Sequence, residues 1–375
     1  MGEKHILLMY ISHVSGHRSA AFAVEQAIKI LEPGTKVLNI NTFTYTNPIS
    51  TSIVSYIYLH IIKRLPFIWR YLYDNPEFIK KTERTKAIIH RINAPKLKAI
   101  LDDFRPGVIA CSQAYPCGIV ADIKKMYNLE IPLVAILTDY VPHSYWIYDT
   151  VDYYIVPSED IKIRLIEKGV EPSRIKSLGI PIDPKFNMPL DRKKIKLSLG
   201  LNLETPVILI MGGSHGLGPL KQILHHLDKS KLKFQEIVVT GINKRLFNYF
   251  KKRLGKYKKE IKLFGYANNV NELMAVSDII ITKPGGVTIS EAMAMGLPMI
   301  IMRPIPGQEE NNTLYLTKQK AAIKVDEPKK IKEAVEDLLS QPDKLKQLSS
   351  AARKMSNPAA SMNIAKLLLE LCVHN

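Results

Sequence analysis

Short apolar runs alternate with longer amphipathic segments along the whole chain. His5–Ile11, Val37–Ile40, Gly107–Ser112, Leu133–Thr138, Tyr153–Val156 and Ile175–Leu178 have the apolar, β-branched character of strands buried on both faces. Ser19–Ile30, Pro95–Phe104, Gly118–Tyr127 and Glu159–Lys168 lie between them and read as helices. A second series follows. Its strands are Pro206–Met211, Ile237–Thr240, Ile261–Phe264, Ile279–Thr282 and Met299–Met302. Its helices are Arg192–Leu199, one from near Pro219, Leu246–Lys252 and Thr288–Met295. Pro328–Ser340, Pro342–Met355 and Ala359–Leu371 are helical to the end. Strands alternating with helices predict an α/β protein with parallel sheets. Two such series predict two Rossmann-like domains, residues 1–183 and 191–357, joined near Pro184 and Pro189, with residues 358–375 as a terminal helix.

The stretch Ile279–Asn312 carries the most chemistry. Pro284-Gly285-Gly286 breaks a strand, and Thr288, Ser290 and Glu291 open the next helix. Gly296-Leu297-Pro298 stops that helix, Met299–Met302 is the next strand, and Arg303–Gln308 is a loop. Free amides and a helix dipole suit an anion, and Glu291 adds a carboxylate beside it. A nucleoside diphosphate needs both, amides for phosphates and a carboxylate for ribose hydroxyls. Glycines that serve packing alone produce the same layout. A second glycine loop, Gly212-Gly213-Ser214-His215-Gly216, follows the strand at 206–211 in the same domain. It would place Ser214 and backbone amides near a diphosphate or across a domain cleft, with His215 read as a cleft-lining residue and not a second base.

The first strand ends in the turn Ser12–His17. Ligands of open α/β sheets sit at such strand ends. His17 is therefore a candidate general base for a hydroxyl near neutral pH, or a residue that only caps the helix. Asp139 ends the strand at 133–138 and faces the same region, unless it merely caps the next turn.

Residues 49–81 are dense in rings and cations. Tyr56, Tyr58, Phe67 and Trp69 interleave with Lys63, Arg64 and Arg70. That mixture predicts contact with a membrane interface, with core packing and single-stranded nucleic acid as the other readings. The apolar stretch Pro48–Ile62 is shorter than the roughly 20 residues a spanning helix needs. The net charge of +18 (53 Lys and Arg against 35 Asp and Glu) favours an anionic partner. The run Lys251–Lys259 reads as a solvated face. Three cysteines give no disulfide framework and no metal spacing, and no signal peptide is visible, so a cytoplasmic setting is expected. Cys111 and Cys117 flank a turn-like Gln113–Pro116 as small apolar fillers.

The stretch at 279–312 resembles the donor-binding motif of GT-B nucleotide-sugar glycosyltransferases. The group it is most similar to holds the monogalactosyl- and glucosyl-diacylglycerol synthases and the peptidoglycan-precursor GlcNAc transferase. Gly16-His17-Arg18-Ser19-Ala20-Ala21 resembles their first turn, and Thr138–Trp146 resembles their T-D-x-x-x-H-x-x-W stretch. The resemblance implies two domains facing a cleft, with the last helix returning to the N-domain. It implies that Glu291 holds the ribose, Gln308 and Glu309 the sugar hydroxyls, and Gly285, Gly286, Val287 and Thr288 the diphosphate, together with Gly213 and Ser214. Phe264, Gly265 and Tyr266 become the base pocket. His17, oriented by Asp139, faces the acceptor, and Gly16, His143 and Trp146 shape the acceptor site. The implied activity is inverting transfer of glucose or galactose from a UDP-sugar to diacylglycerol by a peripheral protein on the cytoplasmic face of the cell membrane. The 49–81 segment becomes the part that docks on an anionic surface. No Asp-x-Asp motif is present, so no metal, no other cofactor and no nucleic-acid partner is expected. GlcNAc transfer to a lipid-linked precursor, UDP-sugar epimerisation and a non-catalytic binding role are the alternatives.

Overall fold

The computed structural model describes residues 3–12, 14–42, 44, 76–305 and 307–372. The chain forms two compact units. One takes residues 1–184, 306–308 and 359–375, and the other takes 185–305 and 309–358.

In the first unit six strands run parallel: β1 (His5–Tyr10), β2 (Lys36–Asn41), β3 (Val108–Cys111), β4 (Leu133–Ile136), β5 (Tyr153–Val156) and β6 (Ile175–Ser177). Their order is β2-β1-β3-β4-β5-β6. Every residue of β3 and β4 is buried, as expected of a parallel sheet covered on both faces. The second unit repeats the design with β7 (Val207–Met211), β8 (Gln235–Val239), β9 (Glu260–Phe264), β10 (Ile279–Thr282), β11 (Met299–Met302) and β12 (Ala322–Val325). Their order is β12-β11-β10-β7-β8-β9, again all parallel. The chain winds outward from β7 to β9, then returns to the other side of β7 with β10. The loops leaving β7 and β10 are thereby parted, which opens the crevice where α/β sheets hold ligands. In the first unit the same reversal falls between β1 and β3.

Several helix boundaries differ from the pattern-based reading, for local reasons. The helix Gly16–Leu31 starts three residues early, because the Ser15 side chain caps it by accepting from the Arg18 amide. Gln113–Pro116 is no free turn. The helix Ala114–Tyr127 begins there and takes Pro116 in its first turn, where a missing N–H costs nothing. The helix expected over Pro95–Phe104 is the end of a longer one, Pro76–Phe104. β12 and the helices Val270–Val276 and Gln308–Lys318 had no prediction; each is short and mixed in polarity. The ring-and-cation residues Tyr56, Tyr58, Lys63, Arg64, Phe67, Trp69 and Arg70 lie outside the described residues. Among the described residues no helix is long and apolar enough to cross a membrane.

The last helix, Ala360–Leu371, belongs to the first unit. Its Ile364, Ala365 and Leu368 are wholly buried and share a core with Ala21, Val24, Ala27 and Ile28 of the Gly16 helix and with Ile6 and Leu8 of β1. Leu368→Ala should lower the stability of the first unit by about 2–5 kcal/mol. Urea unfolding followed by a probe in that unit checks this, and an unchanged midpoint would remove the last helix from the core.

Candidate functional site

At the reversal of the first sheet, the Gly16 helix presents His17 in its opening turn. Ser112, the residue after β3, clamps it from both sides. The Ser112 hydroxyl donates to the His17 carbonyl at 2.9 Å, and the Ser112 carbonyl lies 2.9 Å from His17 Nδ1. Thr138 Oγ1, just past the end of β4, is 2.8 Å from the same nitrogen. A carbonyl can only accept, so Nδ1 carries the proton and shares it with the two oxygens. The lone pair is left on Nε2. Burial lowers the imidazole pKa from 6.5 to about 4, against the smaller rise from the bond to Ser112. The ring is therefore neutral near pH 7.

The residues expected around His17 fall differently. Asp139 is half-buried past β4, and the ring's bonds go to Ser112 and Thr138, not to Asp139. Thr138 and Ser112 were missed; their only sequence signal is a hydroxyl one or two residues past a strand end. Gly16 is exposed at the start of the helix. His143 is buried, accepts the Tyr145 amide on Nδ1 at 3.1 Å, and stacks on Tyr145 with ring centroids 4.5 Å apart. Trp146 is 7% exposed and packs into the core, so it anchors the turn after β4 instead of lining an open pocket. Cys111 and Cys117 are fully buried, and burial with the neighbouring thiol pushes the Cys111 thiol well up, which suits apolar fillers.

At the reversal of the second sheet, four strand ends meet. The loop after β7 is tied to the loop after β8: the Ile242 amide donates to the Ser214 carbonyl at 2.9 Å. A Cβ on Gly241 would come 2.2 Å from that carbonyl, so only glycine fits. The loop after β8 is tied in turn to the end of β9, with the Thr240 amide bonded to the Phe264 carbonyl at 3.0 Å and the Gly241 amide to the Gly265 carbonyl at 3.1 Å. Tyr266 stands half-exposed at this rim.

Across the crevice, the helix Gly286–Ala294 follows β10. It starts two residues before the predicted Thr288. Its N-cap is Gly285, which has no side-chain acceptor to offer, so the amides of Gly286, Val287 and Thr288 remain available to an anion. Thr288 and Glu291 are half-buried and share a face at i, i+3, whereas Val287, Ile289, Ser290 and Ala292 turn inward. Gln308 and Glu309 open the helix Gln308–Lys318. Glu309 is 2% exposed. One of its oxygens accepts from the Ile305 amide at 2.9 Å and the other pairs with Lys283. Asn312 donates to the Pro284 carbonyl at 3.0 Å and fixes the break after β10. Lys283 was not singled out in the sequence. Its position next to Pro284-Gly285 is visible there, but its partner, 26 residues on, is not.

The comparisons with known proteins give the family and the fold. Residues 17–182 match the model of the monogalactosyldiacylglycerol (MGDG) synthase family, and residues 207–364 match the glycosyltransferase family 28 C-terminal domain. A processive diacylglycerol beta-glucosyltransferase of Bacillus cytotoxicus is 32% identical over 97% of this chain and 93% of its own length. MurG of Acinetobacter baumannii superposes with a TM-score of 0.65 at 14% identity, over 98% of this chain and 99% of that one. The Staphylococcus aureus MnaA–UDP co-structure gives 0.66 at 14% identity, over 98% and 97%. These two share the two-unit α/β fold.

The histidine geometry has a direct readout. Nitrogen NMR of His17 should show a neutral, Nδ1-protonated ring from pH 7 down to 5 and a midpoint near 4. An unfolded histidine takes its proton at about 6.5, so between those values the unfolded state binds more protons. His17 thus reduces the stability of the fold as pH falls from 6.5 towards 4. A midpoint near 6.5 would mean that the ring is not held as described.

Proposed function

Because this chain belongs to the glycosyltransferase family of the monogalactosyl- and glucosyl-diacylglycerol synthases, we propose that it transfers a hexose from a UDP-sugar to diacylglycerol at a membrane surface, with inversion at the anomeric carbon. The observation that carries the mechanism is the state of His17. Ser112 and Thr138 hold its Nδ1 proton, so Nε2 is the free base. The proton of the acceptor hydroxyl passes to Nε2 as its oxygen bonds to the anomeric carbon. The bond from that carbon to the diphosphate oxygen breaks, and UDP leaves.

Negative charge grows on the leaving diphosphate. The first-turn amides at Gly286–Thr288, the dipole behind them and the Gly213–Ser214 loop are fixed before the reaction and meet that charge without reorganisation. This lets the reaction proceed without a divalent metal. Glu291 takes the ribose hydroxyls, Gln308 and Glu309 take the sugar, and the rim at Phe264–Tyr266 takes the base. The Bacillus relative is a glucosyltransferase by name, which favours UDP-glucose over UDP-galactose as donor.

An anionic membrane on the cytoplasmic side is the surface this reading requires. Residues 221–262 hold 13 Lys and Arg against three Asp and Glu. Lys244, Arg245, Lys251, Lys252, Lys256 and Lys258 among them stand exposed. Each cation at an anionic surface contributes about 1 kcal/mol of attraction, and salt screens it.

UDP release from UDP-glucose should depend on diacylglycerol in anionic vesicles, persist in EDTA and weaken with added salt. His17→Ala should lower kcat by about 10²–10⁴-fold. Glu291→Ala should raise the donor KM. Release that ignores the lipid, or that survives in His17→Ala at the wild-type rate, would sink the mechanism.

A further inference from the structure

The geometry points to Lys283 as the cation of the donor-diphosphate site, held by Glu309 until a nucleoside diphosphate takes it over. The inference rests on the donor-site reading above and adds a ligand and a coupling to it. Lys283 is the first residue after β10, at the reversal of the second sheet. Its side chain is 19% exposed and that of Glu309 is 3% exposed. The ammonium therefore reaches the crevice, while the carboxylate lies behind it.

The surrounding glycines are shaped to this side chain. A Cβ on Gly213 would stand 2.7 Å from Lys283 Cε, and one on Gly285 would stand 3.4 Å from Lys283 Nζ. Gly213 also holds a φ of +66°, a conformation that disfavours any residue with a Cβ. The ammonium is thus threaded between the two glycine loops that flank the crevice. A diphosphate seated against both loops must lie next to it.

The chemistry of the pair explains why the ammonium is not fixed there. A single buried carboxylate holds Lys283, and a pair of that kind gains little over apolar packing once desolvation is counted. A nucleoside diphosphate carries more negative charge than Glu309. Lysine is a compact charge on a flexible stem and can follow it. When the ammonium moves to the phosphates, Glu309 keeps the Ile305 amide on one oxygen and frees the other for a sugar hydroxyl. Phosphate binding and sugar binding are then linked through one proton-rich group, with no change in total charge.

Titrations of uridine, UMP, UDP and UDP-glucose against wild type, Lys283→Met and Glu309→Gln test this. Uridine binding is the control for folding, since it needs no phosphate contact. Lys283→Met should leave uridine affinity unchanged and weaken UDP by about 10- to 100-fold, the loss of one charge-assisted contact. Glu309→Gln should hold or raise UDP affinity, because the cation is no longer shared, and should remove the preference for UDP-glucose over UDP. Equal loss for uridine and UDP in Lys283→Met would make the pair a structural strut and overturn the proposal. So would unchanged UDP affinity. Failure of wild type to bind any of the four would sink the donor-site reading itself. Binding as described without lipid-dependent transfer would sink only the acceptor.

Discussion

A parallel strand reaches its neighbour only through a crossover, and a sheet whose crossovers change direction sends two adjacent strands out towards opposite faces. Both units are built around such a point. At the first, the turn after β1 and the residue after β3 separate, and the His17–Ser112 clamp spans the gap. At the second, the loops after β7 and β10 separate, and Lys283 lies between Gly213 and Gly285. Helix starts cluster at these points because each strand must hand over to a helix there. The amides that a helix cannot satisfy by itself are thus concentrated where the sheet leaves room for a ligand.

The two sites solve different electrostatic problems. The base of the proposed mechanism must stay unprotonated at neutral pH; burial keeps the His17 ring neutral there, while two oxygens choose which nitrogen keeps the proton. A leaving phosphate needs positive charge that is already in place. On the proposed mechanism the first-turn amides of the Gly286 helix and its dipole would supply that charge, and Gly285 at the N-cap leaves those amides uncovered. A serine at that position would satisfy one of those amides itself and blunt the site.

Much of this was legible in the chain. Apolar runs such as Val207–Met211 and Ile279–Thr282 are short and rich in β-branched residues and read as buried strands, and Pro284-Gly285-Gly286 reads as a break. The two-series architecture followed from these. Partners distant in sequence were not legible. Thr138 meets His17 across 121 residues, and no local pattern announces it. Asp139 was expected at the ring because the Thr138–Trp146 stretch resembles the family's, yet the direction of the chain after β4 places the preceding hydroxyl at the ring. Trp146 was expected at the acceptor site through the same resemblance. The core claimed it because the turn after β4 folds back over the Ala114 helix. β12 has no period to read, because it is an edge strand of only four residues with an exposed lysine, Lys324, among them.

The last helix closes the core of the first unit, and this sets an order of events during synthesis. A ribosome makes β1 and the Gly16 helix before the second unit, and Ile364, Ala365 and Leu368 after it. Domains usually fold as they emerge, the N-terminal one first. Here the part of the Gly16 helix that Ile364, Ala365 and Leu368 cover stays open until residues after the second unit have been made. The core of the first unit is therefore completed after the second unit has been synthesised, and an apolar stripe on the nascent chain waits through that interval.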